Sequence, residues 1–161
     1  ETALQTSAAA LKEQTLDDHL NWAEAAAACI VARLGLESPL ADAVVIAARW
    51  HDKGKNRPVW QHAIGNRDMQ RPLAKTGHGR FAPDVRYRHE FGSLIDAADD
   101  PGIRENPERD LILHLIACHH GRARSHFEKR EFDPEALSAM NADAAMEVWQ
   151  AAREEHRAPN P

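Results

Sequence analysis

Apolar residues recur at intervals of three and four in several parts of this 161-residue chain, the spacing that places them on one face of a helix. The first such stretch follows Thr15, in the layout of a capping box, and stops at Gly35. Its apolar positions are Leu16, Leu20, Ala23, Ala27, Ile30 and Leu34. In the second stretch, which ends before Gly54, we expect Ser38 to cap the helix and Pro39 to take its first position. Because Ala is plentiful and β-branched residues are sparse, these patterns predict an all-α fold.

The rest of the chain alternates between helical patterns and loops. The expected segments, in chain order, are a short helix at 57–63, a long basic loop rich in Gly and Pro at 64–86, a helix at about 87–98 interrupted by Gly92, a helix that follows Asn106-Pro107 and runs to Gly121, and an amphipathic helix at 134–157. With 43% hydrophobic residues the chain is long enough to bury one core and short for two, so we expect a single domain over residues 1–161.

Cysteine usage and hydropathy indicate a cytoplasmic protein. Cys29 and Cys118 lie far apart, each within an apolar helical pattern, so a disulfide framework is not expected. No apolar run approaches the roughly 20 residues of a membrane span, and the N-terminus lacks the layout of a signal sequence. We therefore expect no association with a membrane.

Ten histidines are present, and five of them occupy positions that packed helices would bring together. His19 and His51 are in register with the apolar faces of the first two helices, His89 begins the third, and His119-His120 end the fourth. A single inward histidine is more often a hydrogen-bonded core residue than a ligand, but metal sites are built where several converge in the core of a bundle. Because His51-Asp52 and His119-His120 are each followed closely by a glycine, both pairs are expected at helix ends, where adjacent side chains can serve one ion or two.

The residue types narrow the chemistry of such a site. Imidazole with carboxylate suits Mn, Fe, Ni, Co or Zn, and the lack of paired cysteines argues against a structural thiolate zinc site. A carboxylate flanked by histidines can bridge two ions about 3.5–4 Å apart. The segment between Arg49 and Arg88 contains ten Lys or Arg and three Asp, a local charge of +7 in a chain of net charge −5. A basic segment beside a metal site suits an anionic substrate, although basic loops are often merely solvated.

Four motifs follow one another along the chain: HDKGK at 51–55, PVWQ at 58–61, RHE at 88–90 and HLIACHHGRAR at 114–124. With them the chain resembles the HD phosphohydrolase superfamily, and it looks most like the HD nuclease domain of the CRISPR-associated helicase-nuclease of type I interference. The resemblance runs from about Leu16 to Phe127. It implies an HD-domain helical bundle with a metal site in its core and a nuclease that cleaves single-stranded DNA. The implied partners are a helicase domain or subunit and the CRISPR interference complex.

The resemblance also assigns roles to residues. It implies two divalent ions (Mn, Fe, Ni, Co or Mg) bridged by Asp52. The implied ligands are His19, His51 and Asp52 for one ion and Asp52, His89, His119 and His120 for the other. Lys55 would face the phosphate that is cleaved. Apart from the resemblance, their charge makes Arg122 and Arg124 candidates to hold the flanking strand. Trp60 or Phe127 could stack on bases, although core packing is the more frequent role of such rings.

In one respect the chain departs from the family. The family closes its first metal site with an Asp from a C-terminal helix, and only Asp143 offers a superficial match here. We expect that Asp beyond Pro161, in a helix that this chain lacks, which would weaken the first metal site. Two alternatives therefore stay open: an HD-type nucleotide or cyclic-nucleotide phosphohydrolase, and a non-catalytic metal-binding interaction domain.

Overall fold

The computed structural model describes residues 12–77, 82, 85–120, 131 and 133. Its elements are β1 (Gln14–Thr15), α1 (Leu16–Leu34), α2 (Leu40–Trp50), a 3₁₀ helix (Lys53–Lys55), α3 (Pro58–Ala63), β2 (Leu73–Lys75), α4 (His89–Asp99), α5 (Pro101–Arg104) and α6 (Arg109–Cys118). Helices dominate and the two strands are short, which agrees with the predicted all-α class. No described helix has the length and apolar character needed to cross a membrane.

Both ends of α1 follow the predicted capping chemistry. The Thr15 hydroxyl accepts a hydrogen bond from the Asp18 N–H at 3.2 Å, which satisfies one of the amides that the first helical turn leaves without a partner. At the other end Gly35 adopts φ 65°, the left-handed conformation that ends many helices, and its N–H donates to the Ala32 carbonyl. The Thr15 cap and the glycine stop are confirmed.

The predicted caps of α2 and α6 are each displaced. Ser38 does not cap α2: Pro39 is the capping residue, its carbonyl accepts from the Ala43 N–H, and the helix begins at Leu40. Before α6, the Asn106 side chain accepts from the Glu108 N–H and so closes a turn that precedes the helix. Both proline signals therefore mark a turn of the chain, and each helix starts one or two residues later than expected.

Three further elements differ from expectation. α4 continues through Gly92, where a Cβ would overlap the Tyr87 hydroxyl, so this glycine permits a close contact and does not break the helix. Within the predicted loop 64–86, β2 forms and pairs antiparallel with β1, with Gln14 opposite Lys75. The four-residue α5 was not predicted. The predicted helix 134–157 lies outside the described residues.

The main core joins α2, α4, α5 and α6. Its buried residues are Ala43, Ala47, Phe91, Leu94, Ala97, Ile103, Ile112, Leu113, Ile116 and Ala117. A second cluster, formed by Leu16, Leu20 and Ala74, fixes the start of α1 against β2. The helices that carry His19, His51, His89 and His119 are consequently held by these two packed clusters.

The C-terminal half of α1 is less buried than its periodicity predicts. Ile30 and Leu34 were expected to face inward, but their exposed fractions are 55% and 69%. Leu40, at the start of α2, is also exposed. The buried residues of α2 are Ala43 and Ala47, so the turn between α1 and α2 lies beyond the core.

Candidate metal centre

Asp52 occupies the centre of the candidate site. It follows α2 and precedes the 3₁₀ helix, and only 3% of its surface is exposed. An ionised carboxylate so buried is stable only with close partners. Four histidines approach it: His19 from α1, His51 from the end of α2, His89 from the first position of α4, and His119 from the end of α6.

The two oxygens of Asp52 face different histidines. Oδ2 lies 3.0 Å from Nε2 of His19 and 3.3 Å from Nε2 of His51. Oδ1 lies 3.0 Å from Nε2 of His89 and 3.5 Å from Nε2 of His119. The carboxylate is therefore placed between two pairs of imidazoles, one pair for each oxygen.

His120 completes the second group, since its Nε2 lies 3.0 Å from Nε2 of His89. The donor atoms form two sets that could each hold a metal ion: His19, His51 and Asp52 in one, and His89, His119 and His120 in the other. Within each set the donor atoms lie within 4.8 Å of one another. All six residues predicted as ligands are thus brought together.

Backbone hydrogen bonds orient two of these rings. Nδ1 of His51 lies 2.7 Å from the Ala48 carbonyl oxygen, and Nδ1 of His119 lies 2.7 Å from the Ile116 carbonyl oxygen. Because a carbonyl oxygen only accepts, each Nδ1 must carry the proton and donate it. In the neutral ring Nε2 then presents its lone pair, which is how ligating histidines are commonly oriented. Both histidines directly follow a helix, where carbonyls lack intrahelical partners, so the helix ends themselves supply this orientation.

The donor set fits a bound cation. Nε2 of His51 and of His119 each present a lone pair to an oxygen of the same carboxylate, and two facing acceptors repel unless a positive charge lies between them. Asp52 Oδ1 and His119 Nε2 are buried and make no hydrogen bond of good geometry within the described residues. Donor atoms bound to one ion at about 2.1 Å are about 3.0 to 3.4 Å apart in octahedral or tetrahedral arrangements. The Asp52 separations of 3.0 to 3.5 Å agree with that spacing.

The ionisation states suit metal binding. Burial opposes ionisation of Asp52, but the surrounding imidazoles, of which His19 and His89 can donate from Nε2 at 3.0 Å, outweigh it and hold the pKa of Asp52 well below its ordinary value. Burial lowers the pKa of His89, and burial together with the neighbouring His119 and His89 lowers the pKa of His120 to about 4. At neutral pH the site therefore combines a carboxylate with neutral imidazoles in these two positions, the forms that bind metals.

Lys55 is the one lysine in contact with this cluster among the described residues. Its Nζ donates to Asp52 Oδ2 at 2.6 Å, and the side chain is buried. The Trp60 ring lies beside it, with Nζ 5.2 Å from the ring centroid, and the same ring contacts His89 edge-on. Trp60 is half-buried against Lys55 and His89, which agrees with a packing role for its ring. Lys55 thus places a positive charge at the cluster.

Gly54 allows the 3₁₀ helix to lie directly against the start of α4. A Cβ at this position would overlap the His89 carbonyl oxygen and would lie 2.6 Å from the Ser93 nitrogen. The Gly54 N–H donates to Ser93 Oγ at 2.8 Å, and the Tyr87 hydroxyl donates to the Gly54 carbonyl at 2.8 Å. This contact fixes Asp52 and Lys55 relative to His89.

Gln61 supports the other side of the 3₁₀ helix. It is fully buried, and its Nε2 donates to the carbonyls of Lys55 and Leu73 at 2.7 and 3.0 Å. Its Oε1 accepts from the Leu73 N–H and from Asn66 Nδ2. With both donors and both acceptors used, Gln61 ties β2 to the loop that holds Lys55. The PVWQ motif alone does not reveal these contacts, because Leu73 lies twelve residues further along the chain.

The basic segment is less available to an anion than its local charge suggests. Arg57 forms a bidentate pair with Asp96, both distances being 2.7 Å. Further basic side chains of the segment also have acidic partners: Arg49 with Asp17 and Glu24, Arg71 with Glu13, and Arg88 with Glu90 and Glu131. These partners come from outside the segment, so counting charges within it overstates its field.

Several predicted residues lie outside the described part of the chain: Arg122, Arg124, Phe127 and Asp143. Neither a protein-family model, nor a curated protein, nor a solved structure matches this chain.

Proposed function

We propose that this chain is the HD domain of a metal-dependent nuclease that hydrolyses phosphodiester bonds of single-stranded DNA. The observation that carries the proposal is the placement of the Asp52 carboxylate between two sets of histidines. A carboxylate in that position suits a pair of ions that share it, the arrangement used by many phosphodiesterases. The order of the HDKGK, RHE and HHG motifs supports the same family.

Under this proposal, His19, His51 and Asp52 would hold one divalent ion, and His89, His119 and His120 would hold another, with Asp52 as the ligand common to both. The donor types suit Mn, Fe, Ni or Co, with Mg as the hard-cation alternative. When bound, two such ions would supply an activated water at neutral pH and would offset the charge of the phosphate. No Ser or Cys nucleophile is needed.

The chain's own residues position and polarise the substrate. Asp52 stays ionised and can contact both ions, while the carbonyls of Ala48 and Ile116 keep Nε2 of two histidines directed at the cluster. The ammonium of Lys55, confined between Asp52 and the Trp60 ring, would face the phosphate and stabilise its negative charge. The resemblance extends the proposal to a helicase domain or subunit and the CRISPR interference complex as partners, in the cytoplasm.

A comparison of Asp52→Asn with Asp99→Asn tests the proposal. Asp52→Asn keeps the shape of the side chain but removes its charge, whereas Asp99 is exposed at the end of α4. We expect the wild type and Asp99→Asn to cleave circular single-stranded DNA with Mn²⁺, Ni²⁺ or Mg²⁺, and Asp52→Asn to show no cleavage above background. Cleavage by a folded Asp52→Asn chain, checked by circular dichroism, would contradict the bridging role.

Metal analysis tests the second set of ligands separately. His89→Ala should bind fewer equivalents of metal than the wild type by mass spectrometry, and His62→Ala, at an exposed position of α3, should bind the same number. Preference for deoxynucleoside triphosphates over DNA in the same cleavage assay would favour the phosphohydrolase alternative. Metal binding without turnover of either substrate would favour the interaction domain.

A further inference from the structure

Glu90, the second residue of α4, is a buried carboxylate that the proposed function does not use. Its exposed fraction is 5%, and it directly follows His89, one of the six candidate ligands. Burial of a carboxylate costs free energy unless the charge is paired and hydrogen-bonded. A glutamate in the first turn of a helix can usually reach water, so the inward position of Glu90 indicates partners within the site.

The two oxygens of Glu90 face different groups. Oε1 lies 3.7 Å from Nε of Arg88. Oε2 lies 3.5 Å from Nδ1 of His89. Oε2 is shielded from water and makes no hydrogen bond of good geometry within the described residues. It is thus an acceptor with unused capacity beside the ring nitrogen of His89 that does not face Asp52.

His89 requires an acceptor at that nitrogen if it binds a metal ion. Its Nε2 lies 3.0 Å from Asp52 Oδ1 and 3.0 Å from His120 Nε2, so Nε2 is the atom directed at the metal centre. A neutral imidazole carries one proton, which must be on Nδ1 when Nε2 binds an ion. His51 and His119 follow helices and donate from Nδ1 to backbone carbonyls. His89 instead begins a helix, and the first turn of a helix leaves N–H groups rather than carbonyls without partners, so a side chain must supply the acceptor.

We propose that Glu90 is a positioning residue for the metal centre: its Oε2 accepts the Nδ1 proton of His89 and so fixes the tautomer and direction of this ligand. The inference rests on the proposed function for the role of His89 as a ligand. A charged acceptor on the outer nitrogen also makes Nε2 more basic, which strengthens its binding to a cation. Arg88 and the N-terminal end of α4 stabilise the charge of Glu90. Glu90 therefore favours binding of an ion by the set that contains His89.

The test compares the Zn²⁺ affinity of matched variants by calorimetry. Glu90→Gln keeps the shape of the side chain and removes its charge, so we expect the binding step that is missing in His89→Ala to weaken about tenfold. Asp99→Asn, which removes an exposed carboxylate from the end of the same helix, should leave the affinity unchanged. Arg88→Met breaks the ion pair with Glu90 but leaves Oε2 beside His89, so it should weaken binding no more than about threefold. Circular dichroism checks that each variant is folded.

NMR of the ¹⁵N-labelled histidine rings gives a readout independent of cleavage. In the Zn²⁺-loaded wild type, the ring of His89, assigned by its loss in His89→Ala, should carry its proton on Nδ1, and the signal of this proton should move in Glu90→Gln. A proton on Nε2 of His89, wild-type affinity in Glu90→Gln, or equal losses in Glu90→Gln and Arg88→Met would overturn the proposal. If Glu90→Gln behaves as expected but the wild type cleaves no DNA, the nuclease assignment fails and the role of Glu90 stands. A wild type that binds no Zn²⁺ would overturn both.

Discussion

Gly54→Ala should damage both the stability of the domain and its metal centre. The added Cβ would overlap the His89 carbonyl oxygen and approach the Ser93 nitrogen. Both are backbone atoms of α4, so neither can rotate away. The 3₁₀ helix and α4 would have to separate, and the hydrogen bonds of Gly54 to Ser93 and Tyr87 would lengthen or break.

The expected size follows from these contacts. Overpacking in a well-packed interior costs about 1–3 kcal/mol, and each of the two buried hydrogen bonds contributes about 1 kcal/mol. A loss of about 3–5 kcal/mol is a large part of the roughly 5–15 kcal/mol that stabilises a typical domain. Urea denaturation followed by circular dichroism, with metal chelated, measures it directly. Because His89 belongs to the displaced backbone, metal affinity should fall as well.

Gly65→Ala provides the matched control. Gly65 adopts φ 83°, and nothing lies within 4 Å of the position of its Cβ. Its substitution therefore costs only the left-handed backbone conformation, about 1–2 kcal/mol, with no displacement of a neighbouring element. If Gly54→Ala destabilises the chain no more than Gly65→Ala does, the close approach of the 3₁₀ helix to α4 is not a real constraint.

Three further substitutions probe the surroundings of Asp52. Gln61→Leu should lower the free energy of unfolding by about 2–4 kcal/mol in urea denaturation, because it leaves buried backbone groups of Lys55 and β2 without partners. A loss below about 1 kcal/mol would show that the Gln61 hydrogen bonds do not hold β2 to the 3₁₀ helix. Arg57→Met should lower it by about 1–3 kcal/mol through loss of the bidentate pair with Asp96, and Asp96→Asn in the Arg57→Met background should then add little. Lys55→Met should raise metal affinity about tenfold in calorimetry, since an ammonium 2.6 Å from Asp52 Oδ2 repels a cation bound there. The rate of DNA cleavage should fall, because the positive charge proposed to face the phosphate is lost. Unchanged metal affinity would refute the repulsion.

The ligands of the candidate site could be found from the sequence because their chemistry restricts their residue types. Histidine and aspartate are common metal ligands, and several of them fell on the buried faces or at the ends of different predicted helices, two of which were marked by the glycines at 54 and 121. In the structure His51 and His119 directly follow α2 and α6, in agreement with that reasoning. The capping chemistry of α1 was equally local, so it too was predicted correctly.

The supporting residues could not be found in this way, because their roles depend on partners far along the chain. Gly54 meets Ser93 thirty-nine residues later, and Arg57 meets Asp96 at the same separation. Gly, Ser and Gln are ordinary residues whose sequence context does not reveal such contacts. The same reason explains why the local charge of the basic segment overstates the positive field available to an anion: the carboxylates that offset it come from elsewhere in the chain. A local sequence pattern can identify residues whose side chains bind a metal ion. The residues that hold those side chains in place can be recognised only when the fold brings distant segments into contact.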